Sequence, residues 1–518
     1  MISIDEATFV DLAQRGFNVI PVHETLQLDR ETPVSLYQRL RGRAIFMLES
    51  AALGETTGRY SFIGLDRRWR LTTKDDEVIW SDGTPSPAGT SPLQALRQRL
   101  ASYRTHIPPE LPDFFGGAVG YVTYDYVRRL ERLPRGAVHS PWPDVDFSFA
   151  GTILIFDHVR HSTTIVVNAL CRDPLAAVRD YAYATKELGE LVDLLLAAAP
   201  PLDSTVERLV ATAPSRRKGI DVRSRAKALS NFSAAEYVAV VEDAKAHIVA
   251  GDVFQVVPSQ QFRRPTDVDP LTLYRVLRAL NPSPYMYLLD GGDSQVVGAS
   301  PEMLMRVHDG VVSTRPIAGT RPRGDSEEAD QLLEAEMLSD EKEIAEHVML
   351  VDLGRNDVGR VARAGTVRVE RLAHVERFSH LMHLVSHVDG TLREDLDAFD
   401  AFDALFPAGT LTGAPKVRAM ELIDGFEPVL RGPYGGAIGY FSLSGNADFA
   451  ITIRTVSLRD GVATVQAGGG VVADSRPLFE YEECISKASA PLLALEIADS
   501  HATLDETDPT GAEAKSHF

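Results

Sequence analysis

The chain is short of cysteine, short of positive charge and without a long apolar run, and each shortage removes a class of function. Cys171 and Cys484 are the two cysteines in 518 residues. They cannot supply a disulfide framework or a four-ligand zinc site, and they suit a reduced compartment. Lys and Arg number 53 against 73 Asp and Glu, a formal charge of −20, so the basic footprint of a nucleic-acid binder is missing. No apolar run approaches the roughly 18–20 residues that cross a bilayer, and segments such as Thr152–Phe156 and Leu191–Ala199 have the length of core elements. Met1–Thr8 carries Asp5 and Glu6, where a secretory signal has basic residues and then an apolar core. A cytoplasmic protein without membrane or nucleic-acid partners is expected. Gly-rich Rossmann and P-loop turns are absent too, which disfavours dinucleotide and ATP chemistry. An anionic substrate would need a pocket that gathers positive charge from Arg, Lys, backbone N–H groups or a metal.

What is present is a soluble globular composition, 44% hydrophobic and 24% charged, in a chain long enough for two large domains. The stretch 197–230 contains Pro200, Pro201, Pro214 and a basic run through Arg216, Arg217, Lys218, Arg223, Arg225 and Lys227. It has little apolar periodicity and reads as a linker between an N-terminal domain, 1–196, and a second domain, 231–499. The polar tail 500–518 reads as disordered. Glu236–Gly251 has helical spacing of Val238, Val241, Ala244 and Ile248, with Gly251 as its stop. Strand-like runs are Val253–Pro258, Gln295–Ala299, Val311–Thr314, Ala437–Leu443, Phe449–Leu458 and Val462–Ala467. The pattern predicts an α+β fold with large, mostly antiparallel β-sheets flanked by helices.

The segment richest in chemistry is Asp340–Arg360, DEKEIAEHVMLVDLGRNDVGR. As a helix it would bury Ile344, Val348 and Val351 and place Glu343, Glu346 and His347 on the neighbouring flank. Paired carboxylates can hold a hard cation, and magnesium commonly takes one or two of them plus waters and substrate oxygens; most isolated pairs of this kind are only solvated surface. Glu480 and Glu483 repeat the spacing. Gly435, Gly436 and Gly439, then Gly468, Gly469 and Gly470 after the strand VATVQA, let backbone N–H groups approach an anion, or else mark a sharp bend. Arg454 in ITIRTV alternates with apolar residues, so it points inward, where its guanidinium fits a carboxylate or a structural ion pair. His383 lies among apolar neighbours with His380 and His387 nearby, and local sequence does not choose among the three.

In combination these segments resemble the catalytic domain of the chorismate-utilising enzymes. The stretches that carry the resemblance are FQVVPSQ (Phe254–Gln260), NPSPYMYLL (Asn281–Leu289), GASPEML (Gly298–Leu304), RPIAGTRPRG (Arg315–Gly324), KEIAEHVMLVDLGRNDVGRV (Lys342–Val361), GTLTGAPKVRAMELI (Gly409–Ile423), YGGAIGYF (Tyr434–Phe441), IRT (Ile453–Thr455) and QAGGGVVADS (Gln466–Ser475). LESA (Leu48–Ala51), GRYSFIG (Gly58–Gly64) and GGAVGYVTYD (Gly116–Asp125) resemble the family's companion domain. The resemblance implies magnesium held by Glu346 and Glu483, with Glu343 and Glu480 in support. It implies chorismate contacts from Gly319, Thr320, Tyr440, Arg454, Lys487 and the run Gly468, Gly469 and Gly470, and catalytic roles for Glu343, His383, Thr410 and Gly470. In that scheme Arg454 and Tyr440 hold the enolpyruvyl carboxylate, Glu343 protonates the departing hydroxyl, and His383 serves the later, aromatising step.

Two positions separate members of the family. Those that add water carry a lysine base where this chain has Gln255, and a glutamine cannot deprotonate water, whereas ammonia is already a nucleophile. Aminodeoxychorismate synthases read PIKGT where this chain reads PIAGT with Ala318. The implied activity is that of a lyase resembling the large subunits of anthranilate synthases: magnesium-dependent amination of chorismate, then elimination of pyruvate, at the first committed step of tryptophan biosynthesis. Aminodeoxychorismate synthesis is the alternative. Leu48–Ser50 and Pro284–Met286 match the family's tryptophan feedback site, which implies inhibitor contacts from Ser50, Pro284, Tyr285 and Met286. Neither cysteine lies in a G-x-C-x-G elbow, so ammonia is expected from a separate glutamine amidotransferase subunit, in a heterotetramer of two large and two small chains.

Overall fold

The computed structural model describes residues 2–50, 58–74, 77–87, 89–134, 140–198, 204–216, 220–377 and 381–505. Nineteen strands join in one hydrogen-bonded network. At its centre the strands Tyr60–Lys74 and Val145–Asp157 pair antiparallel, Ile63 opposite Leu154, and two arms grow from this pair. One runs through Ala44–Glu49, Tyr285–Asp290, Ser294–Ser300, Thr455–Arg459 and Val462–Gly468 to Ser259–Pro265. The other runs through Gly117–Val122, Ala437–Ser442, Ala447–Ile451, Met303–His308 and Val311–Thr314 to Leu381–Thr391. Leu381–Thr391 also pairs with Ile317–Pro322 and Arg368–Arg377. All these pairings are antiparallel, as the alternation of the sequence predicts.

The arms face each other. Phe46, Val119, Tyr287, Ile438 and Ala450 fill the layer between them, each large side chain there contributing roughly 2 kcal/mol by leaving water. Helices cover the outer faces. Ala177–Leu196 packs through Leu188 on Ser162–Leu170 and Val19–Gln27, strands that extend the central pair on its other flank; Ala234–Val249, Pro270–Leu280 and Pro477–Asp505 pack on the first arm's side through Val241, Leu273 and Ile485. Glu341–Gly359 and Ala398–Leu405 pack on the second through Val351, Val358 and Phe402. The expected helix from Glu236 starts in a capping box between Ser233 and Glu236. It ends at Gly251, whose φ of +86° suits a residue without Cβ. No helix among the described residues is long and apolar enough to cross a membrane.

Three expectations are corrected. The stretch 197–230, expected as a linker of little periodicity, contains the helices Ser204–Arg216 and Val222–Leu229, while 199–203 and 217–219 lie outside the described residues. Leu209, Ala213 and Ala226 are buried in the first arm's core, and Arg223 and Lys227 pair with Glu482 of the C-terminal helix. The basic run is one side of a helix–helix contact, so its periodicity makes sense only beside its partner. The tail expected to be disordered from 500 continues that helix to Asp505; 506–518 lie outside the described residues. Phe449–Leu458 is two strands, Ala447–Ile451 and Thr455–Arg459, one in each arm. The chain crosses between arms at 452–454, and Arg454 takes a φ of +52° to make the turn. A second crossing, from Ser294–Ser300 to Met303–His308, lies alongside: the Ile451 N–H donates to the Glu302 carbonyl at 3.0 Å, and the Ala299 N–H to the Arg454 carbonyl at 3.2 Å.

Candidate active site

The two crossings place charged side chains where the sheet arms part, and two helix starts deliver the glutamates to the same place. The helix Glu341–Gly359 begins at Asp340, whose carboxylate accepts from the Lys342 and Glu343 N–H groups. Glu343 pairs with Arg321 at 2.5 Å, and its other oxygen, Oε2, is buried without a hydrogen-bond partner among the described residues. Gly319, on the strand Ile317–Pro322, has a φ of +57°, and a Cβ there would lie 2.8 Å from that oxygen. From the far end of the sequence, Glu480 and Glu483 occupy the start of the helix Pro477–Asp505. A Cβ on Gly469 would lie 3.2 Å from Glu480 Oε2 and 3.6 Å from Glu483 Oε2. Lys342 reaches Asp474 at 3.1 Å, tying the first helix to the loop before the second.

The carboxylates feel one another. Burial raises the pKa of Glu346, with Asp474, Glu343 and Glu483 adding to the rise and Lys342 opposing it. Glu480 is pushed up to about 7, first by burial and then by Glu483. For Glu483 burial works upward as well, but Lys487, paired with it at 2.9 Å, brings the carboxyl below its ordinary value. Such a set of hard oxygen donors, two of them buried on Glu343 and Glu480 without a partner among the described residues, fits a hard cation. Among the described residues the three-donor group whose ligand atoms all lie within 4.8 Å is His374, Glu376 and His387, so the glutamates stand further apart than a closed shell. That spacing suits magnesium, which retains waters and uses substrate oxygens. A cavity of about 340 Å³ lined by Phe254, Lys342, Glu346 and Asp474 opens beside them.

Positive charge gathers on the other side of the glutamates. Arg454 is deeply buried, and burial lowers its pKa while Tyr434 and Glu483 oppose the shift. Its Nη1 donates to the Lys487 carbonyl at 2.9 Å, and Lys487 Nζ donates to the Gly468 carbonyl at 3.0 Å. The glycine run is packed: a Cβ on Gly468 would lie 2.6 Å from the Pro258 carbonyl oxygen and 3.0 Å from the Tyr434 hydroxyl, and one on Gly470 would lie 2.5 Å from Gln255 Nε2. His383 opposes Thr320 across the ladder, and the Gly319 carbonyl accepts from its Nδ1 at 3.0 Å. Burial lowers its pKa, so the imidazole is neutral near pH 7 with its proton on Nδ1. The Thr410 hydroxyl is buried on the short turn Gly409–Leu411.

Tyr440 is not with Arg454. Alternation along Ala437–Ser442 turns it into the layer between the arms, where its ring lies 4.3 Å from that of Phe114. The tyrosine beside Arg454 is Tyr434, six residues earlier, at the turn before the strand. The expected helical stripe also rotates. Val348 is 40% exposed, whereas His347 is fully buried and hydrogen bonds to Ser386 at 2.6 Å, with burial lowering its pKa to about 4. His347 therefore belongs to the core. His387 sits with Glu376 and His374, and His380 lies outside the described residues. Glu302 was missed by sequence reasoning. At the second crossing it is buried, and burial pushes its carboxyl up to about 8 against the pull of Thr410 and Lys487. The available signal was one acidic residue inside the apolar run GASPEMLM.

A second cavity, of about 460 Å³, lies between the arms at the pairing of Ala44–Glu49 with Tyr285–Asp290. Ser50, Pro284, Tyr285 and Met286 all line it, together with Tyr440. Its wall combines Phe62 and Phe114 with Glu49, Arg306 and Arg315, so it offers an apolar surface and charges of both signs.

The chorismate binding enzyme family model matches residues 44–493. The chain is 48% identical to anthranilate synthase component 1 of Mycolicibacterium smegmatis over 499 residues, covering 94% of this chain and 92% of that protein. It is 44% identical to the protein of the same name from Acetivibrio thermocellus, covering 94% and 98%. Among solved structures, anthranilate synthase component I from Streptococcus pneumoniae superposes with a TM-score of 0.69 at 34% identity, covering 90% of this chain and 98% of that one. The menaquinone-specific isochorismate synthase of Escherichia coli shares the fold, with a TM-score of 0.65 at 18% identity over 94% and 99%. Sheet arms, crossings and glutamates thus stand in a chain that belongs to the chorismate binding enzyme family.

Proposed function

We propose that the chain is the synthase subunit of an anthranilate synthase, binding chorismate and magnesium between the two glutamate helices and releasing anthranilate and pyruvate. The observation that carries this reading is the meeting of Glu343 and Glu346 with Glu480 and Glu483 beside Arg454 and Lys487. The support is that these acidic and basic groups shift one another's titration, Glu483 raising Glu346 and Lys487 and Arg454 lowering Glu483, as neighbours in one site would. Magnesium there, held by Glu346 and Glu483 with Glu343 and Glu480 in support, would act as a Lewis acid and template toward the ring carboxylate.

The remaining work falls to side chains. Arg454, with Tyr434 beside it in place of Tyr440, holds the enolpyruvyl carboxylate, and the backbone of Gly319, Thr320 and Gly468 to Gly470 lines the ring. As ammonia forms its bond at C2, the C4 hydroxyl needs a proton to leave. Glu302 is the better donor for it: a carboxyl pushed up to about 8 is protonated at neutral pH, whereas Glu343 is paired with Arg321. Thr410 steadies Glu302. His383, neutral, accepts the C2 proton as the enolpyruvyl group leaves and the ring becomes aromatic. Gln255 against Gly470 offers no base for water, and Ala318 no amine for a covalent step, which supports amination to anthranilate over the hydroxylating and aminodeoxychorismate chemistries.

The cavity between the arms is read as a tryptophan site, supported by its aromatic wall, mixed charge and the presence of Ser50, Pro284, Tyr285 and Met286. The regulatory half, 1–196, and the catalytic half, 231–499, both contribute to it. Ammonia would come from a separate glutamine amidotransferase subunit in a cytoplasmic heterotetramer. Purified chain with chorismate, magnesium and ammonium salt should yield fluorescent anthranilate, and L-tryptophan should suppress it. Accumulation of a product that retains the enolpyruvyl group would instead identify aminodeoxychorismate synthesis.

A further inference from the structure

The ladder of Arg368–Arg377 and Leu381–Thr391 carries a second set of metal-ligating side chains, and it shares no residue with the glutamates. His374, Glu376 and His387 each offer one ligand atom, all within 4.8 Å of one another. A bulge brings them together. Three steps along the first strand, Arg371 to His374, match two along the second, His387 to Val385, so one residue is extra. Without it Ala373 would stand opposite Val385, and His374 would turn to the other face. With it His374 and Glu376, two apart, share a face, and His387 lies diagonally across on that face, two residues beyond Val385. Ala373 takes a φ of +50° in the bulge, a conformation that strains a residue with a Cβ. Its N–H donates to the Ser386 hydroxyl at 2.8 Å, which holds the bulge in place.

The imidazoles converge on one carboxylate. His374 Nε2 lies 3.0 Å and His387 Nε2 3.9 Å from Glu376 Oε1. Zinc bonds of about 2.0–2.2 Å set tetrahedral ligand atoms roughly 3.3–3.5 Å apart, so side-chain movements of about 1 Å close a shell on these atoms. The three side chains are 25–32% exposed, which leaves an ion a path in and a water room as fourth ligand. Burial works upward on Glu376, but His387, Arg315 and His374 bring its carboxyl down to about 2, so it is an anion at neutral pH. Arg315 donates to the same carboxylate. A ligating carboxylate commonly keeps such a hydrogen bond, which fixes its orientation.

We propose that His374, Glu376 and His387 bind a zinc ion, in a site additional to the magnesium site. Ligand type selects the metal: imidazole suits zinc, whereas magnesium takes oxygen atoms and retains its waters. The ion replaces the proton between His374 Nε2 and Glu376, which is released to solvent, and Arg315 stays on the carboxylate. Its role is structural. It ties the bulged strand to Leu381–Thr391, whose His383 stands opposite Glu376, and so stiffens the ladder beside that histidine.

The chain, stripped by a chelator and returned to millimolar magnesium, is titrated with zinc chloride by calorimetry. Wild type should take up one zinc per chain and melt at higher temperature with it, since the ion binds the folded ladder only. Cobalt(II) in place of zinc should give the strong visible absorption of a four-coordinate site. His374→Ala and Glu376→Gln should each weaken zinc binding by more than about a hundredfold, because losing merely a partner that orients a ligand costs roughly 10–100-fold. The cobalt spectrum should vanish with His374→Ala, and Glu346→Gln should leave both signals unchanged. Zinc uptake that changes less than about tenfold in His374→Ala and Glu376→Gln, or that is lost in Glu346→Gln, places the ion on the glutamates and overturns the site. A wild-type chain without saturable uptake below about 100 µM zinc, some 5–6 kcal/mol of affinity, overturns it whether or not the variants fold.

Discussion

Substituting Glu302 by glutamine removes a titrating group while keeping its shape, which makes it the sharpest probe of the proposed acid. The ordinary glutamate value is 4.5, and burial moves Glu302 to about 8. A carboxyl raised in the fold adds stability that is fully present below 4.5 and is lost as pH rises through about 8. At about 1.4 kcal/mol for each tenfold change, the loss is roughly 5 kcal/mol. Unfolding entropy grows with chain length, so over 518 residues this corresponds to roughly 5 °C in melting temperature. Wild type should therefore lose about that much more than Glu302→Gln when taken from about pH 5 to about pH 9, read by differential scanning fluorimetry. In parallel, kcat/KM of wild type should decline as pH rises through about 8, and the variant should turn over some 10²–10⁴-fold more slowly at every pH. Melting curves that shift together, or a variant with wild-type turnover, would refute both the buried acid and its role.

The other predictions concern the cation, the base and the carboxylate clamp. Glu346→Gln and Glu483→Gln should each abolish magnesium-dependent turnover while leaving the melting temperature within about 2 °C, since neither carboxylate sustains the core; residual activity in one would remove it from the cation site. His383→Ala should let the aminated intermediate accumulate, detected by chromatography, and equal loss of both steps would assign His383 elsewhere. Arg454→Lys should raise KM for chorismate by roughly 30–100-fold, the worth of about 2–3 kcal/mol when a forked donor becomes a point charge, and an unchanged KM would detach Arg454 from the substrate.

The strands and the long helices were legible because burial sets their periodicity directly: Ser294–Ser300, Val311–Thr314 and Val462–Gly468 fall within a residue or so of expectation. What was lost depended on a partner out of sequence. The alternation around Arg454 looked like one strand because a crossing between arms keeps the apolar rhythm while the backbone turns through a positive φ. Tyr440 and Tyr434 are alike on paper; only the strand's face assignment sends one to the cavity and the other to Arg454. His347 replaced Val348 on the buried side because Ser386 across the interface satisfies it. Glu302 escaped notice for a related reason: its importance lies in isolation from water, which a lone acidic letter between apolar ones signals only weakly. The glutamate pairs were read from their spacing together with family likeness, since spacing alone is common on solvated helices.

The two sheet arms have a further consequence for how the chain is made. Both start from strands in the first third of the sequence, and their next members, Tyr285–Asp290 and Ala437–Ser442, are synthesised well over a hundred residues later. Until then Ala44–Glu49 and Gly117–Val122 present open ladder edges, the kind of template that pairs with any passing strand. A nascent chain of this protein therefore keeps an open ladder edge until its last quarter emerges, the corollary of a sheet whose neighbouring strands come from distant parts of one polypeptide.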